Sequence, residues 1–420
     1  MFNYQNKILK NGLEVIAVPM PALNSITALM LVNTGSRFED KQFYGAAHLL
    51  EHLVFKGTKN YPDSQQLSIA LDEIGANSNA FTSKESTGYY VNAASSHLPL
   101  SLKILKELVF HPLLRDQDVK QEKLVVAEEI KMYLDSPEDF VADEFEQMVF
   151  KNTGLAHPIS GNLADVSGLT VSKLRLFLND WYGVNNMVLV IAGDAQVVQA
   201  KNFFADVEAI FSQQPEGRKK EHAQHRKALL CKNPVSTVKQ LKFDHKTAQT
   251  HLVLGWSALK RNDPQRYVLT VLSTVLGGNR SSRLFNVVRE QSSLAYYIYS
   301  DISQYHDGGL LGASAGINSQ RTEEGIALII NEFEKLADGR EPVTTEELKR
   351  SQDYLAGKIL LGLENSRSVA QQYGMAKLLL GRVEEPDEII RQLNQVTIEQ
   401  IQQLAEQIIK KDEVRIALVS

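Results

Sequence analysis

Cysteine occurs once in the 420 residues, at Cys231. A single thiol excludes an intramolecular disulfide and fits a reducing compartment. With no histidine motif beside it, Cys231 reads as a small buried apolar residue rather than a nucleophile. Long apolar runs are also missing. None approaches the roughly 20 residues that a membrane-spanning helix needs. The first ten residues, Met1-Phe-Asn-Tyr-Gln-Asn-Lys-Ile-Leu-Lys10, carry no apolar core of signal-peptide length and are not Arg- and Ser-rich like a transit peptide. A cytoplasmic location is the expectation. Basic excess is absent too. Forty-five Lys and Arg face 50 Asp and Glu, a net charge of −5, with a pI near 6.1. A nucleic-acid-binding protein would usually show the opposite balance, so neither nucleic acid nor a membrane is expected as a partner.

What remains is ordinary soluble material, 43% hydrophobic and 23% charged, enough for two to three domains at this length. Lys7–Lys10 and Leu13–Val18 flank Asn11-Gly12, a hairpin signal. Ser25–Val32 reads as a third strand. A helix follows near 63–74, with Pro62 and Asp63 at its start and Gly75 as its stop. Strands are expected at 77–82 and 87–93, then helices at 97–110, 117–134, 138–150 and 171–181. A strand at 186–192 and a helix at 195–211 close this half. Residues 213–229 are polar and charge-rich and read as a linker. His222 and His225 within it are expected to be solvated rather than a metal pair.

The second half repeats the programme. Strands at 237–244 and 250–257 lead to a helix from Pro264 to Leu276 and a loop into a helix over 277–291. Strands at 294–303 and 309–316 precede helices near 320–337, 344–361, 366–380 and 397–409, and a strand at 414–419 ends it. Matching element order over about 200 residues implies an internal duplication. Strands, then helices, then a strand, without strict alternation, predict α+β architecture. The expected organisation is two homologous repeats, 1–212 and 230–420, each a largely antiparallel sheet layered with helices.

The chemistry-bearing stretch is Gly45-Ala-Ala-His48-Leu-Leu-Glu51-His52-Leu-Val-Phe-Lys56. On a helix, His48 and His52 at i and i+4 share a face and can fill two corners of a tetrahedral zinc site. Glu51 lies on the edge of that face. The pattern H-x-x-E-H reverses the commoner H-E-x-x-H. Two histidines alone would favour a buried helix with satisfied core histidines; the three ionisable groups together, in an otherwise apolar helix, balance the two readings. A zinc hydrolase needs a third protein ligand and an open fourth position. The segment Gln121-Glu122-Lys-Leu-Val-Val-Ala-Glu128-Glu129-Ile-Lys-Met-Tyr-Leu134 embeds acids in an apolar helical stripe, where a carboxylate requires a cation or a donor. Glu122 and Glu129 share a face two turns apart. Simple pairing of Glu122 and Glu128 with Lys123, Lys131 or solvent is the plain alternative, and spacing does not separate Glu128 from Glu129.

Together these motifs resemble the pitrilysin-type family of inverted zinc peptidases (inverzincins), in particular its mitochondrial processing peptidase-like bacterial branch, over nearly the whole chain. The resemblance implies a zinc metalloendopeptidase holding one Zn2+ per chain through His48, His52 and Glu129. Glu129 stands 77 residues beyond His52, the separation implied for the third ligand. Glu122 would orient a ligand, and Glu51 would be the general base. Gly75-Ala-Asn-Ser-Asn79-Ala80-Phe81-Thr82 resembles the strand that pairs with substrate backbone, assigning Asn79, Ala80 and Phe81 to substrate binding. Ser281-Ser-Arg-Leu-Phe-x-x-x-Arg289-Glu-x-x-x-Leu-Ala-Tyr296 resembles the segment that donates Arg289 and Tyr296 to catalysis, although Gln-Ser-Ser precedes Leu294 where the family usually has glycine. Asp139 and Asp143, at i and i+4, resemble acids that hold a basic substrate side chain, and read equally well as a solvated helix start. Peptides or unfolded polypeptide segments are the implied substrates. A homodimer, or a heterodimer with a related subunit, is the implied assembly. The competing reading is a non-catalytic core-type assembly subunit of the same fold.

Overall fold

A computed structural model describes residues 2–215, 238–245 and 247–420. Most of the expected linker, with His222, His225 and Cys231, lies outside the described residues.

The first sheet has six strands: β1 (Gln5–Ile8), β2 (Glu14–Met20), β3 (Ser25–Val32), β4 (Asn77–Thr82), β5 (Thr87–Ala94) and β6 (Met187–Asp194). Their order is β1-β2-β6-β3-β5-β4. β2 and β6 run parallel, and every other neighbouring pair is antiparallel. The second sheet comprises β7 (Gln240–Phe243), β8 (Gln249–Ala258), β9 (Ala295–Gln304), β10 (Gly309–Asn318) and β11 (Arg415–Val419). Its order, β7-β11-β8-β10-β9, reproduces β2-β6-β3-β5-β4 strand for strand, with β7 and β11 as the parallel pair. The duplication expected from element order is present in topology, and among the described residues β1 has no counterpart in the second sheet.

Side chains alternate faces along a strand, and both faces of the first sheet are buried. Val15, Ala17, Ala28, Met30, Leu189 and Ile191 join a core that includes the helices Ala46–Leu53, Leu98–Phe110, Val171–Trp181 and Phe203–Phe211. Ile16, Val18, Leu29, Leu31, Val188 and Val190 face the other way, onto Val369, Ala370 and Tyr373 of the helix Ser366–Leu380. The second sheet follows the same plan. Leu252, Leu254, Trp256, Leu311 and Ala313 pack with the helices Arg266–Gly277, Thr322–Ala337 and Ile398–Ile408. Leu310, Ala417 and Val419 pack with Val141, Phe145, Met148 and Val149 of the helix Pro137–Val149.

Each sheet thus has one face covered by a helix from the other sequence repeat. Packing assigns Lys131–Ala156 to the second unit and Leu360–Pro386 to the first, so the compact units cut across the sequence halves 1–212 and 230–420. The exchanged helices are among those expected from their apolar spacing; their partners are not local in sequence.

Most other boundaries fall within a few residues of expectation. The helix expected over 195–211 is two, Ala195–Val198 and Phe203–Phe211, separated by a turn in which the Phe203 N–H donates to the Ala200 carbonyl. The helix expected within 277–291 is a π-helical turn, Phe285–Gln291. Among the described residues two helices were not anticipated: Leu163–Gly168, opened by an Asn162/Asp165 capping box, and Pro386–Asn394. No helix among the described residues is long and apolar enough to cross a membrane.

Candidate metal centre

The helix Ala46–Leu53 starts at Gly45, whose φ of +82° lies in the left-handed region. A Cβ there would stand 2.7 Å from the Ser160 carbonyl oxygen, so glycine meets both a conformational and a steric demand. The helix N-terminus has no side-chain cap from its own cap residue. Glu39 supplies one instead. Its two carboxylate oxygens accept from the Gly45 and Ala47 N–H groups, each at 2.7 Å. Glu39 is 2% exposed, and burial pushes its carboxyl up to about 8 against the pull of those donors.

His48 and His52 share one face of this helix, with ring centroids 4.8 Å apart and nearly edge-on. Glu129, on the helix Asp116–Asp135, meets both: His48 Nε2 lies 3.6 Å from Oε1 and His52 Nε2 lies 3.4 Å from Oε2. The ligating atoms of the three residues all fall within 4.8 Å of one another. These separations are long for hydrogen bonds. The two His–Glu129 separations match a tetrahedral zinc site, where bonds of about 2.0–2.2 Å put neighbouring ligand atoms roughly 3.3–3.6 Å apart. Donor set and spacing both fit zinc. The histidines hold the Glu129 carboxyl well below the usual carboxylate range, and Glu129 raises His52 above the ordinary imidazole value despite burial. Of the two adjacent acids, geometry selects Glu129; Glu128 is exposed and outside the group.

Glu122 is 2% exposed and lies beside His52. Its Oε2 lies 3.5 Å from His52 Nδ1 and its Oε1 lies 2.7 Å from Lys56 Nζ. For Glu122 the plain alternative, pairing with Lys123 or Lys131, gives way to a contact with Lys56, from the motif itself. Lys123 donates to the Ser167 carbonyl. If His52 ligates through Nε2, a buried carboxylate beside its second ring nitrogen would favour the tautomer that leaves Nε2 free.

Glu51 points to the sheet. Thr82, the last residue of β4, donates its hydroxyl to Glu51 Oε2 at 2.6 Å. β4 is the outermost strand of its sheet, so Asn79, Ala80 and Phe81 lie on an edge. Phe81 pairs with Gly88 across the ladder, where a Cβ would stand 2.4 Å from the Phe81 ring. The Ala80 N–H donates to the Asn79 side chain at 2.8 Å. Below the edge, the buried Tyr89 and Tyr182 hydroxyls share a 2.7 Å hydrogen bond. Burial, aided by the Glu51 charge, holds both above the usual phenol value, so both stay protonated near neutrality.

The remaining candidates belong to the second unit. Arg289 lies in the π-helical turn, its guanidinium 4.8 Å from the Phe285 ring centroid and 41% exposed. Tyr296 is 73% exposed. The ladder pairs Gly316 with Tyr297 and Ile317 with Ala295, leaving Tyr296 as the extra residue of a β-bulge. π-turns and bulges both re-aim side chains and concentrate at functional sites. Asp139 and Asp143 are exposed on the helix Pro137–Val149. Sequence reading missed Glu39, Lys56 and the role of Thr82. Nothing in the spacing of 39 and 45 marks a cap, and Thr82 stands 31 residues from its partner.

Two histidines and a glutamate at metal-ligand spacing, with another carboxylate held beside them near a strand edge, form a candidate zinc centre. Family models agree. Residues 15–162 match the insulinase-type peptidase family M16 model, and residues 168–355 match the model described as the M16 inactive domain. The chain is 34% identical to an "uncharacterized zinc protease", YmxG, of Bacillus subtilis, covering 98% of this chain and 97% of that protein. Another "uncharacterized zinc protease", of Streptomyces coelicolor, is 31% identical, covering 96% of this chain and 86% of that protein. The fold is shared with a crystallised protease from Helicobacter pylori, with a TM-score of 0.88 at 23% identity over 100% of both chains. The chain belongs to peptidase family M16, the pitrilysin-like family expected from its motifs.

Proposed function

We propose that the chain is a zinc-dependent endopeptidase that hydrolyses peptides or unfolded protein segments. The observation that carries this reading is the placement of Glu51: held by Thr82 at one oxygen, next to ligand His52 in the sequence, and not itself part of the metal group. A carboxylate so placed is a base without being a ligand. His48, His52 and Glu129 would hold one zinc ion, which when bound acts as a Lewis acid and lowers the pKa of a water toward about 7. Glu51 takes the proton from the attacking water at Oε1 and later gives it to the leaving amine. Glu122 and Lys56 keep His52 in its ligating orientation. An extended peptide adds to the edge of β4 along Asn79, Ala80 and Phe81, where backbone hydrogen bonds supply affinity with little sequence demand. Arg289 and Tyr296 are assigned to substrate and oxyanion contacts; their exposure leaves both available as donors. Asp139 and Asp143 are assigned to a basic substrate side chain, and pairing with a second copy or a related subunit is the assembly this reading carries.

The test is Glu51→Gln. The variant should retain zinc at the wild-type level while turnover of a quenched unfolded peptide falls by roughly 100- to 10,000-fold. Wild-type turnover by that variant would refute the base assignment. A wild-type protein that binds no zinc, cleaves nothing and copurifies with a partner would favour the non-catalytic assembly-subunit reading.

A further inference from the structure

We propose that Thr82 is a positioning residue for the reaction, fixing the base Glu51 to the strand along which the substrate is held. The inference rests on the peptidase reading above.

Three observations support it. The Thr82 Oγ1–Glu51 Oε2 distance of 2.6 Å falls in the range of roughly 2.5–2.7 Å for a hydroxyl donating to a carboxylate, about twice the strength of a neutral hydrogen bond. Thr82 is itself tied into its surroundings by strand pairing and a hydrogen-bonded turn. It pairs with Thr87 at the end of the β4–β5 ladder, and Thr87 Oγ1 donates to the Thr34 carbonyl at 3.0 Å. The turn beyond is closed by the Ser83 N–H to the Ser86 carbonyl at 2.8 Å and by the paired Ser83 and Ser86 hydroxyls. Finally, strand alternation gives Thr82 and Ala80 a common face. Ala80 packs into the core that contains the metal helix, whereas Phe81 packs on the opposite side of the sheet.

The chemical consequence follows from which oxygen is occupied. With Oε2 committed to Thr82, Oε1 is the oxygen that receives the proton from water, and the hydroxyl keeps its own proton throughout. One proton leaves the water and one reaches the amine, so the cycle balances. Glutamate otherwise has several rotamers to choose from. The tie also sets register. A peptide lying one residue out of step along β4 would move its scissile carbonyl by about 3.3 Å relative to the base. Thr82 therefore joins backbone recognition to proton transfer, and its hydroxyl, not its bulk, is the working part.

Two near-isosteres separate hydroxyl from bulk. Thr82→Val keeps the shape and removes the donor; Thr82→Ser keeps the donor and removes the methyl. Each is assayed for zinc content, for far-UV circular dichroism, and for kcat and KM on a quenched unfolded peptide. Thr82→Val should keep its zinc and its KM, with kcat reduced by roughly 10- to 100-fold, the loss expected for one hydrogen bond to a charged group. Thr82→Ser should recover kcat to within about threefold of wild type. Wild-type kcat in Thr82→Val overturns the proposal, as does the reverse order, with Ser the more damaged. Loss of zinc in Thr82→Val also overturns it, since the residue would then serve the metal site or the fold. Glu51→Gln, run alongside, tests the underlying reading separately. If it turns over normally, the peptidase base is wrong whatever Thr82 does; if it is dead and Thr82→Val is normal, only the present inference fails.

Discussion

The carboxyl of Glu39 sets two physical effects against each other, and Glu39→Gln decides between them. Burial favours the neutral acid; two N–H donors at a helix N-terminus favour the anion. Burial prevails and the folded value rises to about 8, from an ordinary 4.5. In that window the folded chain keeps a proton that the unfolded chain has released, so stability falls as pH rises through it. One pH unit is worth about 1.4 kcal/mol, so this group should remove roughly 3–4 kcal/mol between pH 5 and pH 8. Glutamine mimics the protonated acid, with one good acceptor and one donor end. At pH 5 the variant should lie within about 1 kcal/mol of wild type. At pH 8 it should be the more stable protein by roughly 3 kcal/mol. Urea unfolding of both at several pH values measures the difference, in which the other titrations cancel. If Glu39→Gln is less stable by a constant amount at every pH, the carboxylate is ionised in the fold and the donors have outweighed burial.

Three further outcomes follow from the same geometry. Zinc must displace the proton that Glu129 helps hold on His52, so zinc affinity should fall by about tenfold per pH unit below that raised value, with proton release visible in buffers of different ionisation enthalpy. In the metal-free protein the raised His52 value stabilises the fold at acid pH, and that contribution is lost as pH rises through it. Glu122→Gln should weaken zinc binding by roughly 10- to 100-fold while leaving His48, His52 and Glu129 in place, read by competition with a chromophoric chelator. Arg37 and Glu85 form a buried ion pair at 2.6 Å, 0% and 3% exposed, and Glu85→Ala should destabilise the protein by about 3–5 kcal/mol by leaving a buried cation, read from thermal or urea unfolding.

The sequence by itself determined whatever depends on neighbours along the chain. Apolar runs of strand length marked Ser25–Val32 to the residue. The i, i+4 spacing put His48 and His52 on one helical face, and repeated element order disclosed the duplication that the two sheets share. Local geometry suffices for these because a strand or helix presents its faces by period alone. Glu129 could be told from Glu128 only by family resemblance until the structure measured both distances to the histidines. The tertiary structure alone decided which helix covers which sheet. Ser366–Leu380 and Pro137–Val149 are amphipathic with no mark of their partner, since burial against any apolar face is equally favourable in sequence terms. It also decided that Lys56 answers Glu122, that Glu39 caps a helix six residues away through a turn, and that Thr82 reaches Glu51 across 31 residues. Hydrogen bonds between distant elements leave no periodic trace, so the tie that holds the base becomes visible only when strand and helix are packed together.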